Sequence, residues 1–190
     1  FGHTVHAVEY APKRIRLAAL MHDIGKGACE INYGNMYNHA SCGSEITRKV
    51  MERLKFSNAE INYTCALVAH HMIDMHGNTH ENKLRKFIAS HAEIIDDLTD
   101  LIIADARATG KDIDLDKCTR IKRIRDKMLQ DSVPFNLSQL AVNGEDLKQL
   151  GYNGKAIGNT LNELLDMCIF GIKRNDKQEL LDMLIRRKNR

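Results

Sequence analysis

The stretch EIIDDLTDLIIADARA, residues 93–108, decides how the chain is read. At about 100° per residue, Ile94, Leu98 and Leu101 fall on one stripe of a helix, and Asp105 falls on that same stripe. A carboxylate is thereby aimed at an apolar core. Burying it bare costs several kcal/mol or neutralises it, so a cation, a metal or a dense hydrogen-bond shell is expected opposite.

Three other helical stretches repeat the pattern with histidine. PKRIRLAALMHDI, residues 12–24, is apolar around most of its perimeter from Leu17 onward, as a central core helix should be. His22 shares the face of Ile15, Ala18 and Ala19; Asp23 follows, and Gly25 with Lys26 is read as the turn that ends this helix. His39 shares a stripe with Gly43, Ile46 and Val50 and should face inward. On 58–73 the apolar stripe is Ile61, Cys65, Val68 and Met72, and His71 lies nearer to it than His70 does. One buried histidine is more often a hydrogen-bonded core residue than a ligand. Inward His and Asp residues on several helices of one bundle are the usual way helical folds build metal sites, and imidazole beside carboxylate is a donor set for a divalent ion.

The rest of the chain supports an all-helical protein. There are two prolines and no tryptophan in 190 residues, few β-branched runs and repeated three-and-four spacing. Helices are predicted near 3–10, 12–24, 39–55, 58–73, 81–91, 93–108, 118–131, 155–170 and 175–188. Pro12, the capping box SNAE at 57–60, and Asn175 with Asp176 mark starts, while MHGNTH, ATGKDID, VNGED and GYNGK read as turns. DSVPFNLSQL, residues 131–140, is the expected joint, which divides the chain into 1–130 and a C-terminal piece at 131–190.

A formal charge of +3 gives no global basic field. The local runs RIKRIRDK and IRRKNR are read as solvated helix faces. Five widely spaced cysteines, without a C-x-x-C pair, argue against a disulfide framework and a zinc knuckle and for reduced thiols. No apolar run approaches the ~18 residues of a membrane span. Phe1 is read as the start of an excised segment, not a signal peptide, and a cytoplasmic protein without a membrane partner is expected.

The ordered set HT at 3–4, LAALMHDIGK at 17–26, His39 ahead of a Gly-containing helix start, LVAHHM at 67–72 and LIIADARATG at 101–110 resembles the HD-domain metal-dependent phosphohydrolases. The tail LAVNGEDLKQLGYNGKAIGNTLNELLDMCIFGIKRNDKQELLDML, carried by Gly144, Asp146, Leu147, Gly151, Gly154, Ile157, Gly158 and Asn175, resembles the segment C-terminal to the HD body in bacterial CCA-adding tRNA nucleotidyltransferases and poly(A) polymerases. The N-terminal nucleotidyltransferase head of those enzymes, which carries their Gly-Ser and Asp-x-Asp metal motif, is read as absent from this segment, so nucleotidyl transfer by this segment alone is not expected.

The resemblance implies an HD-domain helical bundle with a small C-terminal helical extension. It makes His3, His22, Asp23 and Asp105 ligands of a first divalent metal. In two-metal members Asp23 would bridge to a second ion on His39 and His71, while Cys42 and Cys65 stay core thiols. Mn, Ni, Fe, Co, Zn and Mg all remain open. The implied activity is hydrolysis of nucleotide or RNA-terminal phosphoesters such as a 2′,3′-cyclic phosphate, with Asp23 and Lys26 as the catalytic pair and Arg107 a weaker phosphate contact. The competing reading is a catalytically silent body that binds tRNA, with Gly154, Lys155 and Gly158 against its backbone. A triphosphohydrolase of the same superfamily is the third, opposed by the tail.

Overall fold

A computed structural model describes residues 2–188; Phe1 and the last two residues of the IRRKNR run lie outside them, as does the reading placed on Phe1. Among the described residues the chain is helical and contains no strand. The helices are α1 (Gly2–Tyr10), α2 (Arg16–Met21), α3 (Gly25–Tyr33), α4 (His39–Arg53), α5 (Asn58–His70), α6 (Glu81–Ser90), α7 (Ile95–Ala108), α8 (Leu115–Cys118), α9 (Arg120–Gln130), α10 (Gly144–Gln149), α11 (Lys155–Ile169) and α12 (Lys177–Lys188). No helix among the described residues is long and apolar enough to cross a membrane.

Local chemistry accounts for several boundaries. Ser57 and Glu60 form the reciprocal capping box expected at the start of α5. Asp176 accepts from the Glu179 amide at 2.8 Å, holding the first turn of α12. Two expectations are corrected. The predicted helix at 12–24 is a 3-10 turn at Lys13–Ile15, then α2, then a turn through His22–Ile24 closed by Lys26 N–H to Asp23 O at 3.0 Å. Gly25, read as a breaker, instead opens α3. A Cβ there would come within 2.1 Å of His39 O and 2.6 Å of Gly43 N, so only glycine lets α3 meet α4 this closely. VNGED is a helix start as well as a turn, because Asn143 caps α10 with Asp146 reciprocating.

The chain forms two compact units. The first gathers the residues through Asn78 with Glu93–Lys122. In it α1 packs on α7, α4 on α5, α3 on α4, and α2 touches α1, α5 and α7. Its core includes Ile15, Met51, Ile61, Leu67, Val68, Leu98 and Leu101, each at most 2% exposed. Most of RIKRIRDK is tied into salt bridges: Arg120 to Asp74, Lys122 to Asp96, and Arg125 to Asp126.

The second unit is Thr79–Ala92 with Arg123–Arg190, so the compact units part inside α9, earlier than the boundary expected at 130, and α6 belongs to the later part of the chain. The reason is specific. Arg85, buried on α6, donates to the carbonyl of Ile169, the last residue of α11, and Lys86 grips Asp166 at 2.8 and 3.0 Å. Leu140, Val142, Leu147, Leu164, Cys168, Leu180 and Leu184 form this unit's core. Each fully buried leucine there contributes about 2 kcal/mol.

Candidate metal centre

The first unit brings His3, His22, Asp23, His39, His71 and Asp105 together, from α1, the turn after α2, α4, the end of α5, and α7. Helical spacing supplies the direction of His22, His39 and Asp105. Leu98 and Leu101 are buried on the stripe that carries Asp105 to the centre. His22 is fully buried with Ile15, Ala18 and Ala19. On α4 the buried stripe is His39, Gly43, Thr47 and Met51, while Ile46 and Val50, expected on it, are half-buried. The offset of four holds, and the apolar pair lies to one side. His71, the residue just past the end of α5, is buried, and Ile61, Cys65 and Val68 are buried on the neighbouring stripe.

The imidazoles are anchored alike. Nδ1 of His22 donates to Ala19 O at 2.7 Å, that of His39 to Met36 O at 2.9 Å, and that of His71 to Val68 O at 2.7 Å. A carbonyl can only accept, so each Nδ1 carries a proton and each Nε2 is turned to the cluster, where it can offer its lone pair to a cation. Nε2 of His39 and of His71 are 3.3 Å apart. Two lone pairs in that position repel unless a cation stands between them. Among the described residues, Nε2 of His22 is the buried side-chain polar atom left without a well-aligned hydrogen bond, although Oδ2 of Asp23 and Oδ1 of Asp105 each lie 3.3 Å away. An orphaned, inward-facing imidazole nitrogen between two carboxylates fits a divalent ion.

Asp23 divides its oxygens. Oδ2 faces His22 at 3.3 Å and His3 at 3.7 Å, and Oδ1 faces His39 at 3.5 Å and His71 at 3.9 Å. His3 Nε2 meets Asp105 at 2.8 Å. Two ligand groups result, His3 with His22 and Asp105, and Asp23 with His39 and His71, each with its donor atoms within 4.8 Å of one another. Burial opposes ionisation of Asp23, but His22 and Lys26 outweigh it and hold the carboxyl well below its usual range. Asp105 is lowered in the same way, its burial outweighed by His22. Burial pushes His71 down to about 4, which keeps its Nε2 unprotonated at neutral pH. Burial also works against a proton on His22, yet Asp105 and Asp23 raise it to about 9, the response of a carboxylate pair that attracts positive charge.

Lys26 Nζ reaches Asp23 Oδ2 at 2.6 Å and lines the adjoining cavity of about 720 Å³. Arg107 is exposed on another side of α7 and does not line that cavity. Cys65 is buried and Cys42 half-buried, and neither joins a ligand group. In the second unit Gly154 caps α11 at φ +51°, and Gly154, Lys155 and Gly158 are exposed over its first turns. Sequence reasoning missed the apolar wall of the cavity, Met36, Tyr37, Met72 and Met75, whose side chains belong to no core stripe except at Met72. The carbonyls that orient the rings were also missed, although three residues back on a helix is where such an acceptor lies.

Residues 4–110 match the HD domain family. The chain is 29% identical over 99 residues to the A-adding tRNA nucleotidyltransferase of Deinococcus radiodurans, covering 50% of this chain and 22% of that protein. It is 29% identical over 179 residues to the CC-adding tRNA nucleotidyltransferase of Thermus thermophilus, covering 86% of this chain and 39% of that protein. The chain therefore spans less than half the length of either relative.

Proposed function

The chain belongs to the HD domain family, and on that premise we propose that it is a metal-dependent phosphohydrolase acting on nucleotide or RNA-terminal phosphoesters, such as a 2′,3′-cyclic phosphate. The observation that carries this reading is Asp23, one oxygen turned to each of two ligand groups. His3, His22, Asp23 and Asp105 would hold one ion, and Asp23, His39 and His71 a second. When bound, a divalent ion supplies Lewis acidity that makes water acidic near neutral pH and withdraws charge from a phosphoryl oxygen. The mixed donors suit Mn, Fe, Co, Ni or Zn, with Mg where waters complete the shell.

The protein's own part is preorganisation. Nδ1-to-carbonyl bonds hold the rings so that ligand atoms need not turn. Lys26 lines the cavity, where its ammonium can offset charge on a phosphate oxygen. Asp23 and Lys26 are the catalytic pair of this proposal. Five free thiols support a reducing, cytoplasmic setting. The test is metal content by elemental analysis, with ring opening of 2′,3′-cyclic AMP and phosphate release from 2′-AMP under added Mn, Ni, Mg and Zn. Turnover that needs metal, and falls about 100-fold or more in Asp23→Ala, is expected. Metal-free, inactive protein that still binds tRNA would overturn it.

A second reading makes the chain a helical body that binds tRNA. The relative of Thermus thermophilus, named for tRNA, aligns over 179 residues and so through much of 131–190. Gly154, Lys155 and Gly158 form an exposed helix start, and a Cβ at either glycine would meet nothing within 4 Å, leaving room for an RNA backbone. This role does not compete with hydrolysis by the first unit.

A further inference from the structure

The cavity beside the centre has two chemistries. One part is His3, Asp23, Lys26, His39 and Asp105; another is Met36, Tyr37, Met72 and Met75. Three of these four apolar side chains are exposed, not core. Tyr37 is 79% exposed, Met75 50% and Met36 48%. Exposed apolar groups gathered on one cavity wall signal a ligand surface, whereas scattered ones need no explanation. The wall is also held in place. Met36 O accepts the His39 Nδ1 proton at 2.9 Å, and the Tyr37 amide donates to Asn35 Oδ1 at 2.9 Å. Asn38, left-handed at φ +65°, then turns the chain into α4. The ring of Tyr37 and the ring of His39 are thus carried by one short, bonded segment.

A ligand that uses both parts carries an anionic group for the centre and an apolar body for the wall. At about 720 Å³ the cavity is far larger than a phosphate ion needs and lies in the size range of a whole small molecule. The body is planar before it is aliphatic, for two reasons. Tyrosine and methionine sulfur both favour an aromatic partner. Asn38, Ser41 and Thr109 also line the cavity, offering hydrogen bonds that a hydrocarbon chain would leave unmet.

We infer that Tyr37, backed by Met36, Met72 and Met75, stacks on the base of a nucleoside phosphoester whose phosphate lies at the metal centre, and that Tyr37 sets the preference for a base-bearing ligand over a bare sugar phosphate. This inference rests on the phosphohydrolase reading for the position of the phosphate.

The test is calorimetric binding to the metal-loaded full chain. Three probes are used: a hydrolysis-resistant phosphonate analogue of adenosine 2′-phosphate, ribose 5-phosphate, and hexyl phosphate. Wild type should bind the adenosine analogue at least about tenfold more tightly than ribose 5-phosphate, as base–aromatic stacking allows. Tyr37→Ala should weaken the adenosine analogue about tenfold, leaving ribose 5-phosphate affinity and metal content as they were, and Tyr37→Phe should restore binding. Equal affinity of wild type for the adenosine and ribose probes overturns the inference, as does a loss in Tyr37→Ala that is the same for both. So does hexyl phosphate binding more tightly than the adenosine analogue. A chain that hydrolyses no phosphoester but keeps the Tyr37-dependent preference refutes the hydrolase and leaves the base site standing.

Discussion

His39 and His71 bring their Nε2 atoms to 3.3 Å, with the Nδ1 of each ring committed to a main-chain carbonyl. No rotation separates them without breaking one of those hydrogen bonds, so a positive charge between the two nitrogens, a proton or a metal ion, is what relieves the contact. Asp23 provides the counterpart by facing both ligand groups. Substitution should therefore separate the two. His71→Ala is expected to lower bound metal by about one equivalent and Asp23→Ala by both, since a shared ligand is lost in the second case only. Elemental analysis of the two proteins, purified in parallel, decides it; equal losses would remove the bridging role. The inward direction of these residues was legible because helix periodicity carries it. The role of Tyr37 was not, because an exposed aromatic in a turn has no periodic signature.

At the scale of elements, the decisive contact is α3 on α4. Two glycines in α3 behave differently. A Cβ at Gly25 would collide with main-chain atoms of His39 and Gly43, whereas a Cβ at Gly27 would meet nothing within 4 Å. Gly25→Ala is expected to destabilise the protein by about 2 kcal/mol and to weaken metal binding by shifting His39 from Asp23. Gly27→Ala should instead stabilise by about 0.5–1 kcal/mol through helix propensity. Urea unfolding with a metal titration measures both. If the two variants behave alike, the close approach of α3 and α4 is not what positions His39. From sequence Gly25 looked like a helix end. Its purpose is a contact with residues fourteen and eighteen positions on, which no local propensity encodes.

At the scale of the whole molecule, every ligand of the proposed centre lies in the first compact unit and none in the second. Chelation should accordingly reduce amide-exchange protection in α2, α4, α5 and α7, where metal binding adds to native-state stability, while α11 and α12 keep theirs. Exchange measured by mass spectrometry with and without EDTA checks this; uniform loss would mean the ion stabilises more than the unit that holds it. The sequence by itself determined an all-helical chain, the starts of α5 and α12 through their capping residues, and which faces of α2, α4, α5 and α7 turn inward. Those follow from side-chain spacing and from bonds made within one turn. Only the tertiary structure decided what those faces meet. His3 finds Asp105 across 102 positions, His39 finds His71 across 32, and Arg85 crosses 84 to draw α6 into the second unit. Periodicity states that a face is buried, but its partner is chosen by packing the whole chain at once, where a missing Cβ at Gly25 counts as much as any side chain present.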